Sequence, residues 1–170
     1  YSLVDQLVAD GVISQLNSSN KRPGIVHRLD RMTEGLMVVT KTPEALESLK
    51  QQFMSRHISK TYIAALSGNM KNDSIRVHQP IGRHPRQKQK FHVTQDGKEA
   101  ITLFEVIKRY NSMTLCKITP TTGRTHQIRV HAAFIGHPIL DDPLYTKTKA
   151  VTGQRLQAIR LGFKHPTLKY

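Results

Sequence analysis

Ala100-Ile101-Thr102-Leu103-Phe104-Glu105-Val106-Ile107-Lys108-Arg109-Tyr110-Asn111-Ser112-Met113-Thr114-Leu115-Cys116-Lys117-Ile118-Thr119 consists of two runs rich in β-branched and apolar residues, parted by a polar pair. Each run has the length and composition of a strand, and Asn111-Ser112 suits a short turn between antiparallel neighbours. A lone hairpin is marginal in water and needs further strands or a helix. The flanks supply both. Thr61 to Leu66 reads as another strand, and Ile159 to Phe163 as the last one. After the hairpin, Thr125 is the expected N-cap of a helix on which Ile128, Ala132 and Ile135 share a face, with Gly136 and Pro138 ending it. Toward the N-terminus, the compact run Gly35-Leu36-Met37-Val38-Val39-Thr40 predicts a buried strand. Thr42 then offers an N-cap and Pro43 a first helical position, and Leu46, Leu49 and Phe53 follow at helical spacing. A helix is therefore expected from about Pro43 to Met54. Val4 to Pro23 reads as a short helical fragment followed by a polar loop, Asn17-Ser18-Ser19-Asn20-Lys21-Arg22. Residues 82–98 form a long basic, turn-rich stretch. No repeat, low-complexity tract or linker interrupts the chain, so residues 1–170 are expected to be a single α+β domain dominated by strands.

With 170 residues, 38% of them hydrophobic, the chain is long enough to bury one real core. No stretch approaches the roughly 20 apolar residues that span a bilayer. Tyr1-Ser2-Leu3-Val4-Asp5 shows no basic region ahead of an apolar core, so secretion is not expected, whereas cytosol or an organelle fits. Cys116 is the lone cysteine and reads as a buried thiol on a strand. Charge says more. Lys and Arg number 26 against 12 Asp and Glu, a net +14 with a pI near 10.2, which favours a polyanionic partner bound through its phosphates. Charge alone separates neither RNA from DNA nor an enzyme from a passive binder.

Three islands hold candidate chemistry. Gly24-Ile25-Val26-His27-Arg28-Leu29-Asp30-Arg31 places one carboxylate among cations. Neighbouring cations favour the ionised form of a carboxylate, and an ionised carboxylate can act as a nucleophile. An isolated Arg-x-Asp more often marks a salt bridge or a capped turn. In Lys60-Thr61-Tyr62 the tyrosine is either a core residue with its hydroxyl at the edge or a ring face for a flipped base. In Gly123-Arg124-Thr125-His126-Gln127-Ile128-Arg129-Val130-His131, Arg124 lies ahead of a predicted helix N-terminus, where backbone amides attract anions. His126 and His131 are five apart and miss the i, i+4 spacing of a zinc-binding helix, so no metal is expected.

Together the islands resemble the signature of RluA-family pseudouridine synthases. The resemblance rests on His27-Arg28-Leu29-Asp30-Arg31-x-Thr33-x-Gly35-Leu36, Lys60-x-Tyr62 and Pro80-Ile81-Gly82-Arg83-His84-Pro85. It continues through Gly123 to His131, Gly136-His137-Pro138-Ile139-x-x-Asp142-Pro143-x-Tyr145 and Leu161-x-Phe163-x-His165-Pro166. It covers residues 22 to 166 in family order. The chain departs from the family pattern at Met32, usually acidic, and at Glu34, usually small. The family also has preceding strands with a Lys-Pro-Ala-Gly-like segment, absent ahead of Gly24, so the domain is expected to be N-terminally incomplete.

The resemblance implies a mixed, mainly antiparallel sheet flanked by helices and loops, with an RNA cleft across its middle. It implies isomerisation of uridine, with the N1–C1′ bond broken, the uracil turned, and C5 joined to C1′. Asp30 is the implied nucleophile, acting on a flipped nucleotide. Attack at C6, attack at C1′ and deprotonation at C2′ are all open to a carboxylate. By the same analogy Arg124 pairs with Asp30, Tyr62 packs on the base, and Ile128 lines the pocket beneath it. His27, Arg28 and Arg129 are expected to contact RNA, with Arg28 either filling the gap left by the base or contacting the backbone. In the loop from Arg83 to His92, Arg83 and Arg86 would hold phosphates, while Phe91 either stacks on an unpaired base or tucks into the sheet. The implied reaction needs no cofactor or metal, and no obligate protein partner or oligomer is expected. Ribosomal RNA is the expected substrate and transfer RNA the alternative. Two other classes stay open: a catalytically silent RNA-binding module and an assembly protein docked on ribosomal RNA by charge.

Overall fold

A computed structural model describes residues 2–13, 23–146 and 153–168. The polar loop expected at 17–22 lies outside the described residues. In chain order the elements are α1 (Leu3–Ala9), β1 (Glu34–Gly35), α2 (Pro43–Met54), β2 (Ser59–Ser67), β3 (Ser74–His78), β4 (Ile81–Arg83), β5 (Phe91–Val93), β6 (Ile101–Arg109), β7 (Met113–Pro120), α3 (Gln127–Phe134) and β8 (Leu156–Gly162). Two compact units are formed, residues 1–28, 36–59 and 161–170 in one and residues 29–35 and 60–160 in the other.

The larger unit is built on the expected hairpin. β6 and β7 pair antiparallel, with Phe104 opposite Ile118, around a register shift between Val106 and Lys108. The sheet order is β1-β8-β2-β7-β6-β3. β1 runs parallel to β8, while β2–β7, β6–β7 and β3–β6 are antiparallel, which is the mixed, mainly antiparallel sheet expected. Period-two burial makes the core: Thr102 and Phe104 on β6 and Thr114, Cys116 and Ile118 on β7 all point inward. Ile128 and Ala132 of α3 join Phe104, Ile118, Leu66 and Ile139 in one cluster. Phe104 is fully buried, and truncating such a ring costs about 3–5 kcal/mol. β4 and β5 form a separate two-stranded ribbon inside the basic stretch, packed with Ile81, Ala100 and Val130 in a smaller cluster.

In the smaller unit, α2 has the predicted bounds, and Thr42 Oγ1 accepts the Ala45 N–H at 3.2 Å. Leu49 is its buried residue. α1 opens with a capping box between Ser2 and Asp5. Gln52 exchanges bonds with the backbone of Lys164, tying residues 161–168 to α2.

Two expectations are corrected. Gly35 to Thr40 is no buried strand: only Glu34–Gly35 pairs, Leu36 is 52% exposed, and Val39 makes a single bridge to Ile25. Side-chain and loop partners replace the sheet ladder there. His27 Nε2 accepts the Val38 N–H at 3.0 Å, and the Thr40 N–H goes to Gly24 O at 3.0 Å. At α3 the N-cap is His126, not Thr125, in the left-handed region at φ 55° with no side-chain cap. The helix ends as predicted. Gly136 at φ 80° and the bonds from Gly136 N to Ala133 O and His137 N to Ala132 O make a Schellman motif.

Candidate active site

α3 and the turn around Asp142 assemble the site in the larger unit. Gln127, buried at the start of α3, fixes the helix to β6. Its Nε2 donates to Ile101 O at 2.9 Å and Thr102 Oγ1 at 3.0 Å, and its Oε1 accepts from Thr122 Oγ1 at 2.7 Å and Arg124 N at 2.9 Å. Two residues on, Arg129 projects a guanidinium that is 4% exposed. It holds Asp142 in a two-pronged pair, Nε to Oδ2 at 2.7 Å and Nη2 to Oδ1 at 2.8 Å. Asp142 is fully buried and also accepts the N–H groups of Leu144 and Tyr145. The third guanidinium nitrogen, Nη1, reaches Asp30 Oδ2 at 3.1 Å. Burial opposes the charge on Arg129, but Asp142 and then Asp30 outweigh it, so its pKa is raised.

Asp30 is carried by a tight turn, closed by the bond from Thr33 N to Asp30 O at 2.9 Å. Gln154 Nε2 braces that turn through Thr33 Oγ1 at 2.9 Å. The Asp30 side chain keeps 17% of its surface exposed, and His126 Nε2 stands 4.0 Å from the same Oδ2. Among the described residues no bond reaches Oδ1. Within the described residues the site thus presents one carboxylate oxygen anchored from behind and one without a bond. On β2, Tyr62 is half-buried, and burial first, then the charge of Asp30, raises the pKa of its phenol. Lys60 lies two residues away on the same face of β2; burial lowers its pKa, and its Nζ donates to Thr122 O at 3.3 Å.

The sequence-predicted residues divide. The structure groups Asp30, Arg129 and Tyr62 and corrects the partner: the guanidinium on Asp30 belongs to Arg129, while Arg124 Nε donates to Glu99 O at 2.9 Å. The register explains it, because Arg129 lies inside α3 on the buried side whereas Arg124 precedes the helix. Arg129 is correspondingly not a free RNA contact. Ile128 is 7% exposed and packs in the main core cluster. Phe91 tucks inward: its ring lies 5.5 Å from that of His126, the Arg83 guanidinium sits 5.2 Å from its centroid, and it packs on the smaller core cluster. Arg83 and Arg86 are exposed on the β4–β5 ribbon, with Arg83 Nη1 on Lys88 O at 2.8 Å. In the smaller unit Arg28 is exposed, while His27 bonds Val38 N and stacks on Phe53 at 4.9 Å, a structural task in place of the expected RNA contact. Sequence reasoning gave no role to Asp142, Tyr145 or His126. Their only signal was membership in the two C-terminal motifs.

Comparisons with known proteins identify the family and the fold. The family model described as RNA pseudouridylate synthase matches residues 9–134. An uncharacterized RNA pseudouridine synthase, YlyB of Bacillus subtilis (strain 168), is 44% identical over 147 residues, 85% of this chain and 48% of that protein. The ribosomal large subunit pseudouridine synthase D of Nitrosomonas europaea is 41% identical over 155 residues, 85% of this chain and 45% of that protein. The chain spans about half the length of the curated relatives it matches. Among solved structures, human RNA pseudouridylate synthase domain containing 1 superimposes with a TM-score of 0.75 at 26% identity, covering 80% of this chain and 62% of that one.

Proposed function

The chain belongs to the RNA pseudouridylate synthase family, of the RluA type, and we propose that it isomerises chosen uridines of a structured RNA to pseudouridine with Asp30 as nucleophile. One observation carries the reading. Asp30 is held on Oδ2 by a guanidinium that a buried aspartate fixes in turn, its side chain is 17% exposed, and among the described residues nothing bonds its Oδ1. A nucleophile needs an oriented carboxylate with an oxygen that substrate can reach. The reaction breaks N1–C1′ and forms C5–C1′; the C5 proton is lost and N1 gains one, so the base is isomerised with no net change of atoms. Tyr62, whose phenol burial and then the charge of Asp30 keep protonated, is assigned in this reading to pack on the uracil. Flipping the nucleotide costs a few kcal/mol of stacking, which phosphate contacts to a chain of net charge +14 offset.

In this reading residues 1–170 act as one catalytic domain, since the family match runs through both compact units. Ribosomal RNA is the substrate class favoured, because a relative at 41% identity carries a ribosomal large subunit name. The test is to incubate unmodified ribosomal transcripts with the parent chain and with Asp30→Ala, digest to nucleosides, and measure pseudouridine by chromatography, with RNA binding measured alongside. Pseudouridine from the parent alone, with binding retained by both, supports the assignment. Binding by both with no pseudouridine from either makes the chain a silent RNA binder.

A further inference from the structure

His126 breaks a backbone rule at the site. It is a non-glycine residue in the left-handed region, at φ 55° and ψ 19°, capping α3 without a side-chain cap bond. Such a conformation costs on the order of 1–2 kcal/mol and persists where the surroundings hold it. What the strain achieves is visible in the side chain. The imidazole lies between Tyr145 and Asp30, with Nδ1 3.0 Å from the Tyr145 hydroxyl and Nε2 4.0 Å from Asp30 Oδ2. The same hydroxyl accepts the Phe91 N–H at 3.0 Å, and Phe91 opens β5 of the basic ribbon. The Tyr145 ring lies 5.1 Å from the Arg129 guanidinium. Among the described residues, Asp30, Tyr145 and Phe91 from three different segments face His126, and Arg129 of its own helix lies under the Tyr145 ring.

The direction of the proton follows from these contacts. Tyr145 holds its proton, since burial pushes its pKa up to about 12. Its oxygen accepts from Phe91 at 3.0 Å, and in the arrangement proposed here its own O–H donates to His126 Nδ1. A ring that accepts at Nδ1 carries its proton on Nε2, the nitrogen facing Asp30. We propose that His126 and Tyr145 are a positioning pair for the isomerisation: Tyr145 fixes the imidazole so that Nε2–H is presented to Asp30 Oδ2 beside Arg129, leaving Oδ1 as the attacking oxygen. At 4.0 Å the contact is longer than a hydrogen bond, as contacts in substrate-free sites commonly are before they tighten in the complex. This inference rests on the isomerase reading for its kinetics but not for its structural arm.

Two measurements on the intact chain decide it. Nitrogen-15 NMR of the imidazoles, assigned with His126→Gln, is expected to show His126 as the Nε2–H tautomer in the parent and as a mixed population in Tyr145→Phe. An Nδ1–H tautomer in the parent overturns the pair whether or not the chain is active. In single-turnover isomerisation, Tyr145→Phe is expected to slow the chemical step on the order of tenfold with RNA affinity unchanged. In a His126→Gln background, where the amide still offers an N–H, the same change is expected to cost less than about twofold. Equal slowing in both backgrounds, or an effect on affinity alone, overturns the proposal. A parent chain without activity refutes the isomerase reading, while the tautomer still rules on the pair.

Discussion

Asp142 has no exposed surface, and among the described residues Arg129 is the cation paired with it. Removing one partner of a buried pair leaves an uncompensated charge, which costs about 3–5 kcal/mol. Arg129→Met should therefore lower unfolding stability by that amount in urea denaturation and also release Asp30. Arg124→Met loses one bond to a backbone carbonyl of the half-exposed Glu99 region and should cost under about 1.5 kcal/mol. Equal losses from the two would contradict the assignment of the guanidinium partner. His131 gives a pH prediction in the same unit. It is fully buried between Thr102 Oγ1 at 2.9 Å and Gln79 O at 3.0 Å, and burial first, with His78 nearby, lowers its pKa from the ordinary 6.5. Below that value the unfolded chain binds a proton that the folded ring resists, so stability present at neutral pH is lost as the pH falls through about 6.5. Denaturation at pH 7.5 and 5.5 should show a steeper acid loss for the parent than for His131→Gln, which has nothing to titrate there.

Among the elements, the two-residue β1 carries more than its length suggests. Gly35 sits at φ +113°, and a Cβ there would collide with the backbone of Ala158 in the parallel partner β8. Gly35→Ala should cost well over about 1 kcal/mol and disturb the turn that carries Asp30. Thr42→Ala, which removes the N-cap of α2, should cost about 1 kcal/mol. Parallel urea melts check the order, and a milder loss at Gly35 would refute the tight packing. These two positions also show what could be read without coordinates. The bounds of α2 were legible because Thr42, Pro43 and the Leu46–Leu49–Phe53 spacing are local signals that agree. The β6–β7 hairpin was legible for the same reason. The run from Gly35 to Thr40 misled because its ladder partners are a distant imidazole and a loop carbonyl, which no local pattern encodes. The cap of α3 misled because His126, in the left-handed region and with no side-chain cap bond, starts the helix one residue later. Asp30 and Tyr62 stood out through their motifs, whereas Arg129 was read as an RNA contact, since which face of a short helix is buried depends on the sheet beneath it.

Across the whole molecule the net charge of +14 is the dominant feature, and the ribbon bearing Arg83, Arg86, Lys88 and Lys90 is its most concentrated hairpin. Binding through phosphates releases counterions, so the logarithm of affinity should fall linearly with the logarithm of salt, by about 0.7–0.9 per phosphate contact. Replacing those four cations with alanine should make the slope shallower without moving the site of modification; an unchanged slope would place the RNA elsewhere. Within the described residues no helix is long and apolar enough to cross a membrane. We propose that the Asp30 carboxylate held by Arg129 does the chemistry on a uridine. Tritium release from RNA labelled at uracil C5 tests it most directly, because that hydrogen must leave when C5 joins the ribose. The account predicts release by the parent chain and none by Asp30→Ala with RNA binding intact. Equal release by both would contradict it.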